Sequence, residues 1–219
     1  MSAKITRRYS VGEELANSLT HGLGIVLSVV GICVLLFAAK SSGVPHALGS
    51  CAIYGLTLVT LYTTSTLYHS SRVAQSKQLL RTLDHIAIFL LIAGTYTPFV
   101  LITLHGAWGW SLFAVTWSLA ALGVIFELTS LRRFRGAMVA LYIAMGWVGL
   151  AAIKPLVAAL PSVGLWLLFG GGAAYTLGVV FYQMHRLRYH HAVWHLFVLS
   201  GSVLQYFAVL YYVLPQAQA

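Results

Sequence analysis

The segment HAVWHLFVLSGSVLQYFAVLYYVL, residues 191–214, decides the fold class of this chain. It has no Asp, Glu, Lys or Arg, and as a helix it is long enough to cross about 30 Å of hydrocarbon. Six similar apolar runs precede it, so we predict an all-α integral membrane protein with seven transmembrane helices in a single domain over residues 1–219. The predicted spans are 20–39, 47–69, 83–104, 108–130, 137–153, 162–184 and 191–214.

The composition excludes a soluble protein. Hydrophobic residues make up 59% of the 219 residues and charged residues 8%, against about 45–50% and 25% in soluble domains. A signal peptide is the competing interpretation of the first run, but that run is longer than a signal core and two glutamates precede it. We therefore expect a retained helix after a polar segment at residues 1–19.

The basic residues predict the orientation of the chain. Of the 13 Lys and Arg residues, Lys40 and Lys154 lie on one side of the predicted membrane. The other eleven lie in the N-terminal segment, with Lys4, Arg7 and Arg8, or in the loops after spans two, four and six. The positive-inside rule then places the N-terminus in the cytoplasm and the C-terminus outside. The net charge of +9 follows from these loops, so we expect anionic membrane lipids as partners and no nucleic acid.

Two smaller features have structural explanations. Gly170, Gly171 and Gly172 predict close helix packing, since no lysine-bearing phosphate loop follows them. Cys33 and Cys51 lie in separate apolar runs and lack the paired spacing of a zinc ribbon or a redox motif.

Polar side chains recur at one depth in three of the spans. His191 and His195 lie four residues apart at the start of the last span, so a helix puts them on one face. Ser65 and His69 repeat this step at the end of the second span, and Asp84 is expected to open the third. Ionisable groups inside a membrane usually face a bundle interior or a wet cavity, which makes these five residues a candidate site.

Three imidazoles suit Zn²⁺, which in catalytic sites keeps a fourth position for water. Asp84 could bind the metal directly or act as general base, and Ser65 could orient the water or stabilise an oxyanion. The alternative is that these histidines contact lipid headgroups, because spacing alone cannot show that spans two, three and seven touch. Imidazole also suits iron, copper and nickel.

A second polar cluster, Glu14, Asn17 and His21, precedes the first span at the same end. It could start a helix, with Asn17 or Ser18 as N-cap, or it could orient the metal ligands. Glu127, at the end of span four, is expected to pair with Arg132 or Arg133.

In their order along the chain these motifs resemble the haemolysin III branch of the progestin and adipoQ receptor family. The matching residues are Glu14-x-x-Asn17-x-x-Thr20-His21, Ser65-x-x-x-His69, Asp84, Ala93-Gly-Thr-Tyr-Thr-Pro98 and His191-x-x-x-His195. The resemblance implies the fold of the adiponectin receptors, which holds zinc near the cytoplasmic leaflet. It implies His69, His191 and His195 as ligands, with Asp84 reaching the metal through water and Ser65 beside it.

The related alkaline ceramidases hydrolyse a lipid amide, so the resemblance also implies a zinc-dependent hydrolase of a lipid amide or ester. The chain lacks the long N-terminal regions of the eukaryotic receptors, which argues against a hormone receptor and for a bacterial cytoplasmic (inner) membrane protein.

Three functions stay open from the sequence. A hydrolase predicts a lipid-sized cavity beside His69 and His195. A membrane-homeostasis or sensor protein with a structural metal predicts four filled protein ligands. A cytolytic or pore-forming protein would need a polar stripe along a span, or an oligomer, and no span has such a stripe. The sequence leaves the lipid substrate and the oligomeric state undetermined.

Overall fold

The computed structural model describes residues 9–214, and within that range all regular structure is helical. Seven helical segments are long and apolar enough to cross a membrane, as predicted. Lys4, Arg7 and Arg8 of the charge count, and the tail at 215–219, lie outside the described residues. The helices are α1 Val11–Ser42, α2 Ala47–Ser70, α3 Ala74–Pro98, α4 Gly106–Leu128, α5 Arg135–Trp147, α6 Ile153–Ala159, α7 Ser162–Gln183 and α8 His190–Ala208.

Helix α1 begins well before the predicted span 20–39, so the polar segment at 1–19 is partly helical. Its N-cap is Ser10, whose side chain accepts a hydrogen bond from the Glu13 backbone N–H, while the Glu13 carboxylate accepts one from the Ser10 backbone. This reciprocal capping box fixes the first turn. Of the two alternatives for the Glu14–His21 cluster, the one with Asn17 or Ser18 as N-cap is therefore wrong, because both residues lie in the second turn of α1.

Helix α3 also starts earlier than the predicted span 83–104. It begins at Ala74 and continues past Pro98 as a π-helical turn, Phe99–Leu104. Asp84 therefore lies inside the helix and does not open it. Together these 31 residues are about 46 Å long, more than the hydrocarbon requires. Hydropathy identifies only the part of a helix that lies in lipid. It therefore does not predict the polar first turns of α3.

The predicted spans 47–69, 108–130, 162–184 and 191–214 agree with α2, α4, α7 and α8 within two residues, counting the π-helical turn Val209–Val213 that extends α8. The fifth span, predicted as 137–153, combines α5, a 3₁₀ turn at Val148–Ala152 and α6. Lys154 and Pro155, which follow the predicted span, are helical. Proline is tolerated there because the first N–H groups of a helix have no intrahelical partner.

The helices form a closed arrangement in which α1 contacts both α2 and α8. Further contacts join α2 to α3, α3 to α4, and α7 to α8. The largest core cluster draws on α1, α2, α3 and α8, with Tyr54 and Tyr62 among its fully buried side chains. Many large apolar side chains elsewhere are exposed, as expected for surfaces that face lipid.

Close packing of α7 on α8 depends on glycine, as the glycine run predicted. A Cβ atom on Gly171 would lie 3.0 Å from the Gly201 carbonyl oxygen, and one on Gly201 would lie 3.0 Å from that of Gly171. Small residues let membrane helices approach this closely.

Candidate metal centre

Three histidines from two helices meet at one buried point. His69 ends α2, and His191 and His195 lie one turn apart at the start of α8. All three are at most 9% exposed, and one ring nitrogen from each lies within 4.8 Å of the other two. The sequence could not show that α2 and α8 meet at this depth, but the structure brings their histidines together.

The His69 ring is oriented by the first turns of α1. Its Nδ1–H donates to Glu14 Oε2 at 2.7 Å, and the Asn17 amide nitrogen lies 3.3 Å from the same Nδ1. Lys77 Nζ donates to the other Glu14 oxygen at 2.7 Å. A carboxylate on one ring nitrogen fixes the tautomer and makes the opposite nitrogen a better metal ligand. Here that opposite atom, Nε2, is buried and has no hydrogen-bond partner in the described chain.

The two histidines of α8 are held in a similar way. His195 Nδ1 lies 3.2 Å from the Asn17 carbonyl oxygen and 3.1 Å from Thr20 Oγ1, so α1 also orients this ring. His191 Nδ1 lies 3.2 Å from the Tyr9 hydroxyl. In each of the three rings, Nδ1 contacts a protein group.

These residues fit a metal ion that prefers nitrogen ligands. They supply three converging imidazole donors, one with an orphaned buried nitrogen, and supporting partners on the far side of each ring. A buried polar atom without a partner costs about 1–3 kcal/mol, so its presence points to a ligand at this position. Three imidazoles suit zinc and leave one tetrahedral position for water or substrate. The three histidines could therefore hold a zinc ion.

A cavity of about 540 Å³ adjoins the cluster. His191, His195, Asp84 and Ser65 line it, whereas His69 does not. Asp84 and Ser65 are both buried and near enough to interact. The Ser65 hydroxyl nevertheless has no partner at hydrogen-bond geometry among the described residues. A carboxyl, a hydroxyl and two of the histidines thus line the same cavity.

His21, predicted to support the site, stacks on His195 with ring centroids 3.5 Å apart and planes 17° from parallel. It also lines the cavity, and neither of its ring nitrogens has a hydrogen-bond partner in the described part of the chain. Glu14, Asn17 and His21 all lie on one face of α1, and all three contact histidines of the cluster.

Sequence reasoning missed three contacts. Tyr9 and Thr20 were not identified as partners of His191 and His195, because such pairings depend on how α1 packs on α8. Thr20 belongs to the quoted family motif, which was the available signal. The expectation that Glu127 pairs with Arg132 or Arg133 is wrong. Glu127 is buried, and its Oε1 instead lies 3.2 Å from His85 Nδ1.

The fold and this site define a multi-pass helical membrane protein with a buried histidine cluster at one end of the bundle. A family model described as haemolysin-III related matches residues 9–206. The chain belongs to this haemolysin-III related family, as the motifs predicted.

Individual relatives agree with this assignment. The chain is 46% identical to Hemolysin-3 of Bacillus cereus over 218 residues, which cover 99% of this chain and all of the relative. It is 42% identical to the Hemolysin-3 homolog of Bacillus subtilis, with 93% of this chain and 96% of the relative covered. The human monocyte to macrophage differentiation factor is 28% identical, over 91% of this chain and 84% of that protein.

Proposed function

We propose that this membrane protein is a zinc-dependent hydrolase of a lipid amide or ester. The observation that carries the proposal is the shared cavity, which His191, His195, Asp84 and Ser65 all line. A metal held by His69, His191 and His195 would border a space of about 540 Å³, within the usual range for ligand sites.

When bound there, zinc would supply Lewis acidity, which polarises a carbonyl oxygen and makes water nucleophilic near neutral pH. Asp84 would accept a proton from that water as general base. The other carboxylate that lines the cavity, Glu127, is paired with His85. Ser65, whose hydroxyl has no hydrogen-bond partner among residues 9–214, would donate a hydrogen bond to the substrate oxygen. Glu14, Asn17, Thr20 and Tyr9 would keep the three rings in place, and His21 would pack behind His195.

A structural metal in a sensor would call for four protein ligands. Within residues 9–214 the cluster groups three donor residues, and a cavity adjoins it. Both observations favour the enzyme, and neither favours the sensor or a cytolytic pore.

We further propose a bacterial inner-membrane location with the N-terminus in the cytoplasm, the orientation that the charge pattern predicts. The histidine cluster would then lie near the cytoplasmic face. Reporter fusions at Ser42 and at Ser130 test this, because the first should report the periplasm and the second the cytoplasm. The reverse result would put the site at the outer face.

The first experiment measures the zinc content of detergent-purified protein by elemental analysis. Wild type should carry about one zinc per chain, as a three-histidine site predicts, and His191→Ala and His195→Ala should lose it. His185→Ala is the control, since His185 is exposed in the loop before α8. No metal after chelator-free purification, or retention by both site variants, would remove the proposed catalyst.

Lipid amides and esters are then screened for turnover. Asp84→Asn should keep zinc but lose turnover by about 10²-fold or more, the usual effect of removing a general base. Turnover that survives this substitution would exclude Asp84 as the base.

A further inference from the structure

A second histidine and a carboxylate line the same cavity outside the histidine cluster. His85 lies on α3 and Glu127 at the end of α4, and His85 Nδ1 lies 3.2 Å from Glu127 Oε1. Glu127 is buried, whereas the side chain of His85 is 24% exposed. The function proposed above uses neither residue, so the pair needs an explanation of its own.

The carboxylate of Glu127 orients the His85 ring. A carboxylate on Nδ1 fixes the tautomer of an imidazole and directs Nε2 away from itself. Here Nε2 makes no hydrogen bond within residues 9–214 and, unlike the orphaned nitrogens of His21 and His69, it is not buried. The Tyr142 hydroxyl on α5 donates to the His85 backbone carbonyl at 3.2 Å, which ties this turn of α3 to α5. The ring therefore offers one oriented and accessible nitrogen.

His85 is the neighbour of the proposed general base. Asp84 and His85 are consecutive on α3, so their Cα atoms are about 3.8 Å apart and their side chains project about 100° apart around the helix axis. Both residues line the cavity. Asp84 is near enough to interact electrostatically with His85 and also with His69 of the cluster. A carboxylate and an oriented imidazole thus occupy neighbouring positions in one cavity.

A purely structural ion pair between α3 and α4 would explain the distance from His85 to Glu127. It does not explain why the pair lines the cavity with Nε2 unburied and without a partner in the described chain. His190 shows the structural case, since it is buried, its Nδ1 lies 3.2 Å from the Phe181 backbone carbonyl, and it does not line the cavity.

Hydrolysis of an unactivated amide or ester requires a proton for the leaving group. Without one, the nitrogen or oxygen would depart as a strongly basic anion, which is why such reactions use a general acid. In the proposed function Asp84 accepts a proton from water, so its carboxylate carries none when the reaction begins. The acid must therefore be another group that is already protonated. A protonated His85 would form an ion pair with Glu127.

We propose that His85 is the general acid of this hydrolase and that Glu127 is its positioning residue, an inference that rests on the proposed function. Water loses a proton to Asp84 while its oxygen forms a bond to the substrate carbonyl carbon. The bond from that carbon to the leaving atom then breaks, the electron pair stays on the leaving atom, and that atom takes the proton from His85 Nε2. The proton on Asp84 passes to His85 and restores both groups. One water is consumed for each acid and each alcohol or amine released.

The test compares two oleoyl esters as substrates of the purified full chain in detergent. Ethyl oleate releases an alkoxide that must be protonated, whereas p-nitrophenyl oleate releases a stable anion that needs no proton. His85→Gln should lower turnover of ethyl oleate by about 10²-fold or more, the usual contribution of a general acid, and should leave turnover of p-nitrophenyl oleate nearly unchanged. Equal losses on the two esters, or no loss on either, would overturn the inference.

Further variants test the role of Glu127. Glu127→Gln should show the same selective loss on ethyl oleate, because its effect is exerted through the His85 ring. The double variant, His85→Gln with Glu127→Gln, should lose no more than His85→Gln alone, since two residues that act as a unit give non-additive effects. Additive losses would overturn the assignment of Glu127. His185→Gln is the control and should keep both activities, because His185 is exposed in the loop before α8.

Zinc content and melting temperature, measured on the same samples, do not depend on turnover. His85→Gln should keep about one zinc per chain, and loss of that zinc would make His85 a metal ligand and overturn the inference. If His85→Gln melts far below wild type, Glu127→Gln decides by the same comparison of esters.

The failure of this inference is distinguishable from the failure of the proposed function. Asp84→Asn should lose turnover of both esters, because activation of water precedes the departure of either leaving group. Turnover by wild type and Asp84→Asn as expected, but without a selective effect of His85→Gln, would refute the general acid alone. No turnover by wild type of either ester, or of the matching amides N-ethyl oleamide and oleoyl p-nitroanilide, would refute the hydrolase and this inference with it.

Discussion

Replacing Glu14 with glutamine perturbs the candidate site without touching a metal ligand. The carboxylate of Glu14 accepts two hydrogen bonds, from His69 Nδ1–H and from Lys77 Nζ, both at 2.7 Å. Its side chain is 20% exposed, so these contacts lie at the edge of the protein interior. Glutamine has nearly the same shape but a single acceptor oxygen, so its amide N–H₂ must face one of the two donors.

The size of the effect follows from that mismatch. A hydrogen bond to a charged group contributes about 1.5–3 kcal/mol, and losing the one to His69 lets the ring turn and lowers the basicity of Nε2. A free-energy change of 1.4 kcal/mol changes a dissociation constant tenfold, so the lost hydrogen bond should weaken zinc binding by about 10- to 100-fold. Removal of such supporting groups usually has an effect in this range. Glu14→Ala should fall at the upper end because it removes both acceptors.

Competition with a coloured zinc chelator in detergent measures the affinity. Glu13→Gln is the matched control: the two glutamates are adjacent on α1, but Glu13 contacts Ser10 and the Tyr189 backbone N–H and none of the three cluster histidines. We expect the control to bind zinc like wild type. If Glu14→Gln and Glu14→Ala both bind zinc like wild type, then Glu14 does not orient a metal ligand. Equal losses in Glu13→Gln and Glu14→Gln would point to unfolding of the first turn instead.

Two predictions concern the scaffold and are measured by thermal unfolding in detergent. Gly171→Ala places a Cβ atom 2.5 Å from Gln205 Cγ and 3.0 Å from the Gly201 carbonyl oxygen, so overpacking should cost about 1–3 kcal/mol. Gly170→Ala, whose Cβ would lie 3.8 Å from the nearest side-chain atom, should be neutral, and equal melting of the two variants would contradict the tight α7–α8 contact. Ser202→Ala removes the partner of two tyrosine hydroxyls, each 2.7 Å from Ser202 Oγ, and should cost about 1–3 kcal/mol for each hydroxyl left unsatisfied. An unchanged melting temperature would show that another group takes up those hydroxyls.

The hydrophobic pattern predicted most of the fold, because a membrane-crossing helix needs an apolar run of defined length. It placed α2, α4, α7 and α8 within two residues, and it failed at the end of the fifth span and at the start of α1 and α3. Both of those helices continue beyond the hydrocarbon, where hydropathy carries no information. A local signal was present for α1, since Ser10 and Glu13 form a capping box that can be read from sequence.

The site was predictable in its residues but not in its contacts. Spacing placed His191 and His195 on one face, and depth put His69 at the same level. Their meeting depends on α1 packing between α2 and α8, which periodicity cannot reveal. The same holds for Thr20 and Tyr9, whose partners come from α8, and for Glu127, whose partner His85 lies on the neighbouring α3.

The helical turns that hydropathy missed are the ones that carry the polar partners of the cluster. The first turns of α1 supply Glu14 and Asn17 to the histidine rings, and the first turns of α3 supply Lys77 to Glu14. A helix that ended with the hydrocarbon would leave these rings without acceptors, at a depth where water is scarce and an unsatisfied polar group is costly. The polar extensions of α1 and α3 are therefore part of the site, and shortening either should cost metal binding before it costs membrane insertion, which depends on the apolar turns that remain.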